Sequence, residues 1–425
     1  MDLRDKLKQF ERDFQPDRQS ISRSQQPDIE TVVAGDEVSN EYGSYFRSIT
    51  VYPENHRHGR IPLDYFQEID PQVYELVGKD EALRGIDLRK AVFIDTETTG
   101  LAGGTGTLPF LIGLGYFYDD GFRVDQLFMR DYREEPAVLK TVAERLEACD
   151  AIVSYNGKAY DLNLLTSRFI LARMKNPAMD CPHLDLLFTV RRLWRRRIVE
   201  CTLSNVEQHV LDFHRHDDVP GFLIPGLYFD YLRSRSGSIL EPVFRHNRWD
   251  VIALVALAGV AGRIYQSPSA FLDHPLDFLS LGRAFQNVFR LQEAVACFQK
   301  ALNHSMEPGD REEVLRNLGF SLKRLGRWEQ AVKVWEQMVE TVSHRIMPYE
   351  ELAKYYEHRV GEFDKAAEIV RHALERIDLL DELRPDLNLR EDRKDLEYRL
   401  ARLRRKAKRG GLMHSSGSRS SPQAV

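Results

Sequence analysis

Between about Leu88 and Tyr265, apolar residues recur first at strand spacing and then at helix spacing. "AVFIDTE" is a continuous apolar run ending in acids, "PFLIGLGYFYDD" follows, and "FRVDQLFMRDY" alternates after a turn at Asp120 and Gly121. These runs predict three consecutive strands joined by turns. "EPAVLKTVAERLEACD" has helical spacing with Pro136 near its first turn, and "AIVSYNG" reads as another short strand. A meander, a helix, a strand and further helices predict a mixed α/β layered domain over residues 88–265.

After Pro275 the period is helical throughout, and the chain repeats itself. "LQEAVACFQKAL", "WEQAVKVWEQMV" and "FDKAAEIVRHAL" align with Ala294, Ala331 and Ala366 in one column, at offsets of 37 and 35 residues. That period is close to the tetratricopeptide one. Small residues let paired helices approach while Phe298, Trp335 and Val370 fill the next layer, so these stripes predict a solenoid core over residues 276–402. Residues 403–425 turn basic and then Ser-rich, which predicts a disordered tail. At the other end, residues 1–30 are polar and predict a loose arm. Short β-branched and aromatic runs over residues 31–87 predict a small β element packed on the domain that follows.

The chain has 425 residues, 43% of them hydrophobic, enough for two or three globular domains. A net charge of -5 gives no global attraction for nucleic acid, so a polyanion would need a local basic surface. No apolar run of bilayer length is evident, and "MDLRDKLKQF" lacks the apolar core of a secretion signal. A cytoplasmic protein without a membrane partner is therefore expected. Cys149, Cys181, Cys201 and Cys297 have no paired short spacing, which argues against a zinc site or disulfide scaffold and for reduced thiols.

Candidate chemistry lies in three places. In "FIDTETTGL", Asp95 and Glu97 are one residue apart, so in a strand both point to one side. Either a cation sits between them, or they are solvated at the start of a polar turn made by Thr98, Thr99 and Gly100. In "SYNGKAYDLNLL", Asp161 follows Asn156 and Gly157 into a helix; it is either delivered to the same sheet end or is an early-turn acid answering the helix dipole. In "FRHNRWDVIALVAL", Asp250 opens an apolar helix with His246 four residues earlier, and Asn247 as the helix cap is the alternative reading.

Further along, "RRLWRRR" holds five arginines in seven residues. On a helix Arg191, Arg192, Arg195 and Arg196 would share much of a face, with Trp194 stacking on a base or facing the core. Such a face suits nucleic-acid backbone contact without sequence readout, the alternative being a solvated charged surface. "GLAGGTGTLPF" lacks the Lys-Ser/Thr ending of a nucleotide-binding loop and reads as the turn after the first strand. Asp185 in "HLDLLFTV" is a helix-start acid, and His183 before it a surface or capping residue.

Taken in order, "DTETTGL", "YNGKAYDLNLL" and "HNRWDV" resemble the three exonuclease motifs of the DEDD 3'-5' exonuclease superfamily. More narrowly the segment resembles the YprB-type ribonuclease H-like domain family, including "HLDLLFTVRRLWRRR" and "CTLSNVEQHVL". The resemblance implies an α/β ribonuclease H-like mixed sheet flanked by helices, here followed by a C-terminal all-α tetratricopeptide-like solenoid. It implies Asp95, Glu97, Asp161 and Asp250 as metal ligands, His246 as the base that activates water, and Asp185 and Asn156 as secondary candidates near the site. The superfamily's histidine branch places the base five residues before the last Asp; here the separation is four.

That chemistry is self-consistent. Hydrolysis of a phosphodiester suits two divalent ions about 4 Å apart, and hard oxygen ligands favour Mg²⁺ or Mn²⁺. A histidine with an ordinary pKa of about 6.5 takes a proton near neutrality. The expectation is a metal-dependent nuclease, a 3'-5' exonuclease on DNA or RNA, with a helical array that recruits a protein partner. Its rivals are a structure-selective endonuclease and a non-catalytic nucleic-acid-binding adaptor.

Overall fold

The computed structural model describes residues 28–66, 68–100, 106–119, 121–341, 345–384 and 386–416, with side chains as far as Lys408. Most of the expected N-terminal arm, Leu101–Thr105 of the glycine-rich turn, Asp120 and residues 417–425 lie outside the described residues. The chain divides into two units: residues up to Arg191 together with Ile198–Ser267, and Arg192–Arg197 together with the chain from Pro268.

In the first unit, β1 (Asp36–Asn40) and β2 (Gly43–Pro53) form a hairpin, while β3 (Arg57–His58) and β4 (Ile61–Pro62) pair separately. The predicted meander is β5 (Ala91–Thr98), β6 (Pro109–Tyr118) and β7 (Gly121–Phe128), all antiparallel. Two strands parallel to β5 complete the sheet, β8 (Ala151–Ser154) and β9 (His183–Asp185), in the order β1-β2-β7-β6-β5-β8-β9. Of the residues before β5, β1 and β2 thus belong to the main sheet, and only β3 and β4 form a separate β pair. β2 pairs with β7 along its length, from Phe46 opposite Phe128 to Pro53 opposite Gly121, and covers an edge that would otherwise leave backbone groups unpaired.

Its longer helices are α1 (Glu135–Glu147), α2 (Asp161–Leu171), α3 (Leu186–Trp194), α4 (Ile224–Ser234) and α5 (Glu241–Gln266). Apolar residues surround α5 because it packs across the meander, and by length and composition the stretch Gly237–Gln266 could cross a bilayer, contrary to the sequence expectation. In the fold 78% of its apolar window is buried. Two glycines of β6 permit the close approach. A Cβ at Gly113 would lie 2.5 Å from Asn247 Oδ1, and one at Gly115 2.5 Å from Val251 Cγ1.

The second unit is a helical array: α6 (Pro275–Asn287), α7 (Leu291–Leu302), α8 (Pro308–Arg324), α9 (Trp328–Thr341), α10 (Met347–Tyr355), α11 (Phe363–Leu383) and α12 (Arg390–Ser416). Each helix packs on its successor. The aligned alanines are fully buried. Gly282 admits Phe298 and Gly319 admits Trp335, where a Cβ would come within 2.5 Å of either ring. In the third pair Ala353 shares a core with the smaller Val370, so volume is exchanged across the layer. The array also runs past the expected boundary at Arg402: α12 continues and Leu403 is buried, which shortens the predicted tail.

Candidate metal centre

β5 carries Asp95 opposite Gly113 and Glu97 opposite Leu111, and its register with β6 shifts directly after Glu97. The neighbouring parallel strand β8 runs to Ser154 and feeds a turn in which Asn156 adopts the left-handed conformation, φ 64°. That turn delivers Asp161, buried in the first turn of α2. α5 begins nine residues before Asp250, so His246 and Asp250 stand one turn apart in mid-helix. Asn247 is therefore no cap. It is fully buried, donates to Asp95 Oδ2 at 2.9 Å, and accepts from Gln126 Nε2 at 2.9 Å.

The acids converge. Glu97, His246 and Asp250 bring ligand atoms within 4.8 Å of one another. His246 Nε2 lies 3.4 Å from Asp250 Oδ2 and 4.0 Å from Glu97 Oε1. Burial, and then the charges of Asp250, Glu97 and Asp161, hold the Asp95 carboxyl far above its usual range. Burial also pushes Glu97 up to about 8, against the relief offered by His246, and Asp161 up to about 6, against the hydrogen bond from Thr96 Oγ1. For His246 burial opposes the charge, but Asp250 and the hydrogen bond to Asp218 outweigh it and raise the imidazole to about 10. Glu97 Oε1 is buried and has no hydrogen-bond partner among the described residues. An orphaned carboxylate oxygen among ionisable acids is the feature a cation would satisfy, and hard oxygen donors fit a divalent one.

The other candidates divide. Asp185 is buried and accepts from the backbone N–H groups of Asn156 at 2.8 Å, Lys158 at 3.0 Å and Leu187 at 3.1 Å, so it shapes the turn that presents Asp161. Asn156 serves that same turn. His183 is half-buried: its Nε2 meets Ser154 Oγ at 2.7 Å, and burial lowers its pKa to about 4. In "RRLWRRR", α3 stops at Trp194, which breaks the shared helical face expected for Arg191, Arg192, Arg195 and Arg196. Trp194 is 2% exposed and faces the core, not a base. Arg196 is paired with Asp310 and Glu313, and Arg197 with Asp277. Arg191 and Arg195 remain exposed.

Sequence reasoning passed over the loop "FHRHDDV". Its Asp218 Oδ1 meets His246 Nδ1 at 2.8 Å, and its Arg215 reaches Glu207 at 2.7 Å, Asp218 at 3.2 Å and Asp250. Three charged residues in four, from Arg215 to Asp218, were the available signal, indistinguishable from a solvated loop without the tertiary structure.

Comparison with known proteins agrees with this geometry. A family described as the RNase_H superfamily matches residues 92–261. The uncharacterized protein YprB of Bacillus subtilis (strain 168) is 30% identical over 298 residues, which cover 69% of this chain and 71% of that protein. With the ribonuclease H-like sheet in place and the alignment reaching well beyond it, this chain belongs to the YprB family, and its first unit carries a domain of the ribonuclease H superfamily.

Proposed function

We propose that the first unit is a metal-dependent nuclease acting as a 3'-5' exonuclease on DNA or RNA. The observation that carries this reading is the buried Glu97 Oε1, which has no hydrogen bond among the described residues and stands beside Asp250 and His246 in the field of Asp95 and Asp161. A purely structural role would leave that buried oxygen without a hydrogen bond among mutually repelling carboxylates, which is costly. Asp95, Glu97, Asp161 and Asp250 would hold Mg²⁺ or Mn²⁺, two ions by analogy with the superfamily. When bound, such ions supply an activated water and neutralise charge on the phosphate.

The protein's own groups do the rest. Thr96 and Asn247 orient Asp161 and Asp95 through hydrogen bonds. His246 gives up its extra proton once the carboxylate charges around it are neutralised, and its Nε2 then accepts the proton of the attacking water. Polarity follows from the family resemblance. Exposed Arg191 and Arg195 are candidates for backbone contact, and the helical array is proposed to recruit a protein partner. Within that array a cleft of about 340 Å³ around Trp328 is lined by Lys323, Lys354, Arg359, Arg399 and Arg402, four of them already paired with Glu350, Glu351 or Glu357.

The test incubates the protein with 3'- and 5'-labelled single-stranded and duplex DNA and RNA, with Mg²⁺, Mn²⁺ or EDTA, beside Asp95→Asn. Stepwise loss from the 3' end, abolished by EDTA and by the substitution, is expected. Internal cuts would replace the exonuclease with an endonuclease, and binding without turnover would leave an adaptor.

A further inference from the structure

Behind the proposed centre runs a chain of charged groups that such hydrolysis does not require as ligands. His58 Nε2 meets Glu207 Oε1 at 2.7 Å, and the other oxygen of Glu207 accepts from Arg215 Nε at 2.7 Å. Arg215 Nη1 donates to Asp218 Oδ2 at 3.2 Å, and Asp218 Oδ1 meets His246 Nδ1 at 2.8 Å. Through Nη2 the same guanidinium holds Asp250 Oδ1. The Arg215 side chain is 7% exposed and that of Glu207 0%, so these charges are held out of water at considerable cost. Packing alone would be served as well by apolar residues of similar volume.

We infer that Asp218 and Arg215 are positioning residues for the reaction: Asp218 keeps the proton on His246 Nδ1 and turns Nε2 toward Glu97 and Asp250, while Arg215 pins Asp218 and occupies Asp250 Oδ1. The inference rests on the nuclease reading. Each oxygen of Asp218 has its own donor, Oδ1 the ring and Oδ2 the guanidinium, so the carboxylate cannot turn without losing one. Likewise Asp250 Oδ2, the oxygen near His246 Nε2, is the one that Arg215 leaves available.

Asp218→Asn separates this role from simple stabilisation. Arg215 presents only donors, so it draws the amide oxygen of the new side chain to itself and turns the NH₂ group toward His246 Nδ1. A donor there forces the neutral ring to carry its proton on Nε2, the nitrogen that must accept one. The readouts are the ¹⁵N spectrum of His246, assigned by its loss in His246→Gln and recorded with saturating Mg²⁺ and no substrate, and kcat and KM on a labelled oligonucleotide. Wild type is expected as the Nδ1–H tautomer and Asp218→Asn as the Nε2–H tautomer, with kcat lower by about 10–100-fold. KM should be nearly unchanged, while the melting temperature falls because a charge is lost from a buried network. An unchanged tautomer, or a switched tautomer with unchanged kcat, would overturn the inference. A ring that stays doubly protonated in wild type despite Mg²⁺, together with no cleavage, would instead defeat the nuclease reading on which it rests.

Discussion

Glu97→Gln should stabilise the metal-free protein above neutral pH while removing the proposed activity. The folded-state pKa of Glu97 is about 8 against an ordinary 4.5, so the folded protein holds this proton where the unfolded chain has lost it. Stability from the group is therefore full below about pH 4.5 and is lost as pH rises through about 8. At roughly 1.4 kcal/mol per pH unit the ceiling is on the order of 4–5 kcal/mol. His246 reduces it, because its charge relieves Glu97 and loses a partner when Glu97 is neutralised. About half that ceiling, ~2 kcal/mol, is a fair expectation, equivalent to roughly 4–8 °C in melting temperature for a unit of this size. Thermal melts of wild type and Glu97→Gln in EDTA, at about pH 5 and about pH 8.5, read it directly. The variant should melt with wild type at the lower pH and above it at the higher. Mn²⁺ should raise the wild-type melt and close the gap. An equal offset at both pH values would refute the electrostatic argument and reduce the effect to packing.

Packing and backbone hydrogen bonds set other outcomes. Trp194→Ala should cost about 3–5 kcal/mol in urea denaturation, as for a buried aromatic, and leave nucleic-acid affinity at fixed salt unchanged. Asp185→Ala strips an acceptor from three backbone N–H groups; a loss of about 2–3 kcal/mol and faster amide exchange at Asn156 and Lys158 are expected. Gly113→Ala should destabilise by about 1–3 kcal/mol, since its Cβ would press on Asn247, whereas Gly226→Ala meets nothing within 4 Å and should be neutral or mildly stabilising in the same melt.

Much of this protein was legible without coordinates. Strand spacing followed by helix spacing defined the meander, β8 and the helical array, because side-chain periodicity is a local consequence of backbone geometry. The column of Ala294, Ala331 and Ala366 announced the repeat, since tight helix pairing tolerates only small residues there. Asp95, Glu97, Asp161, His246 and Asp250 were found from short local motifs whose order along the chain could be read directly.

What the tertiary structure alone decided is the set of partnerships between residues far apart in the chain. Asp218 and His246 are separated by 28 residues, Asn247 and Asp95 by 152, and His58 and Glu207 by 149. Cys149 and Cys181, scattered in sequence, lie with sulfurs 3.8 Å apart. The arginine run looked like an exposed face, yet α3 ends inside it and its tryptophan is core. No periodicity carries such information. Whether a charged residue meets solvent, a counter-charge or a substrate depends on which surfaces the sheet and helices bring together, and so do the desolvation and Coulomb energies that shift Glu97 and His246.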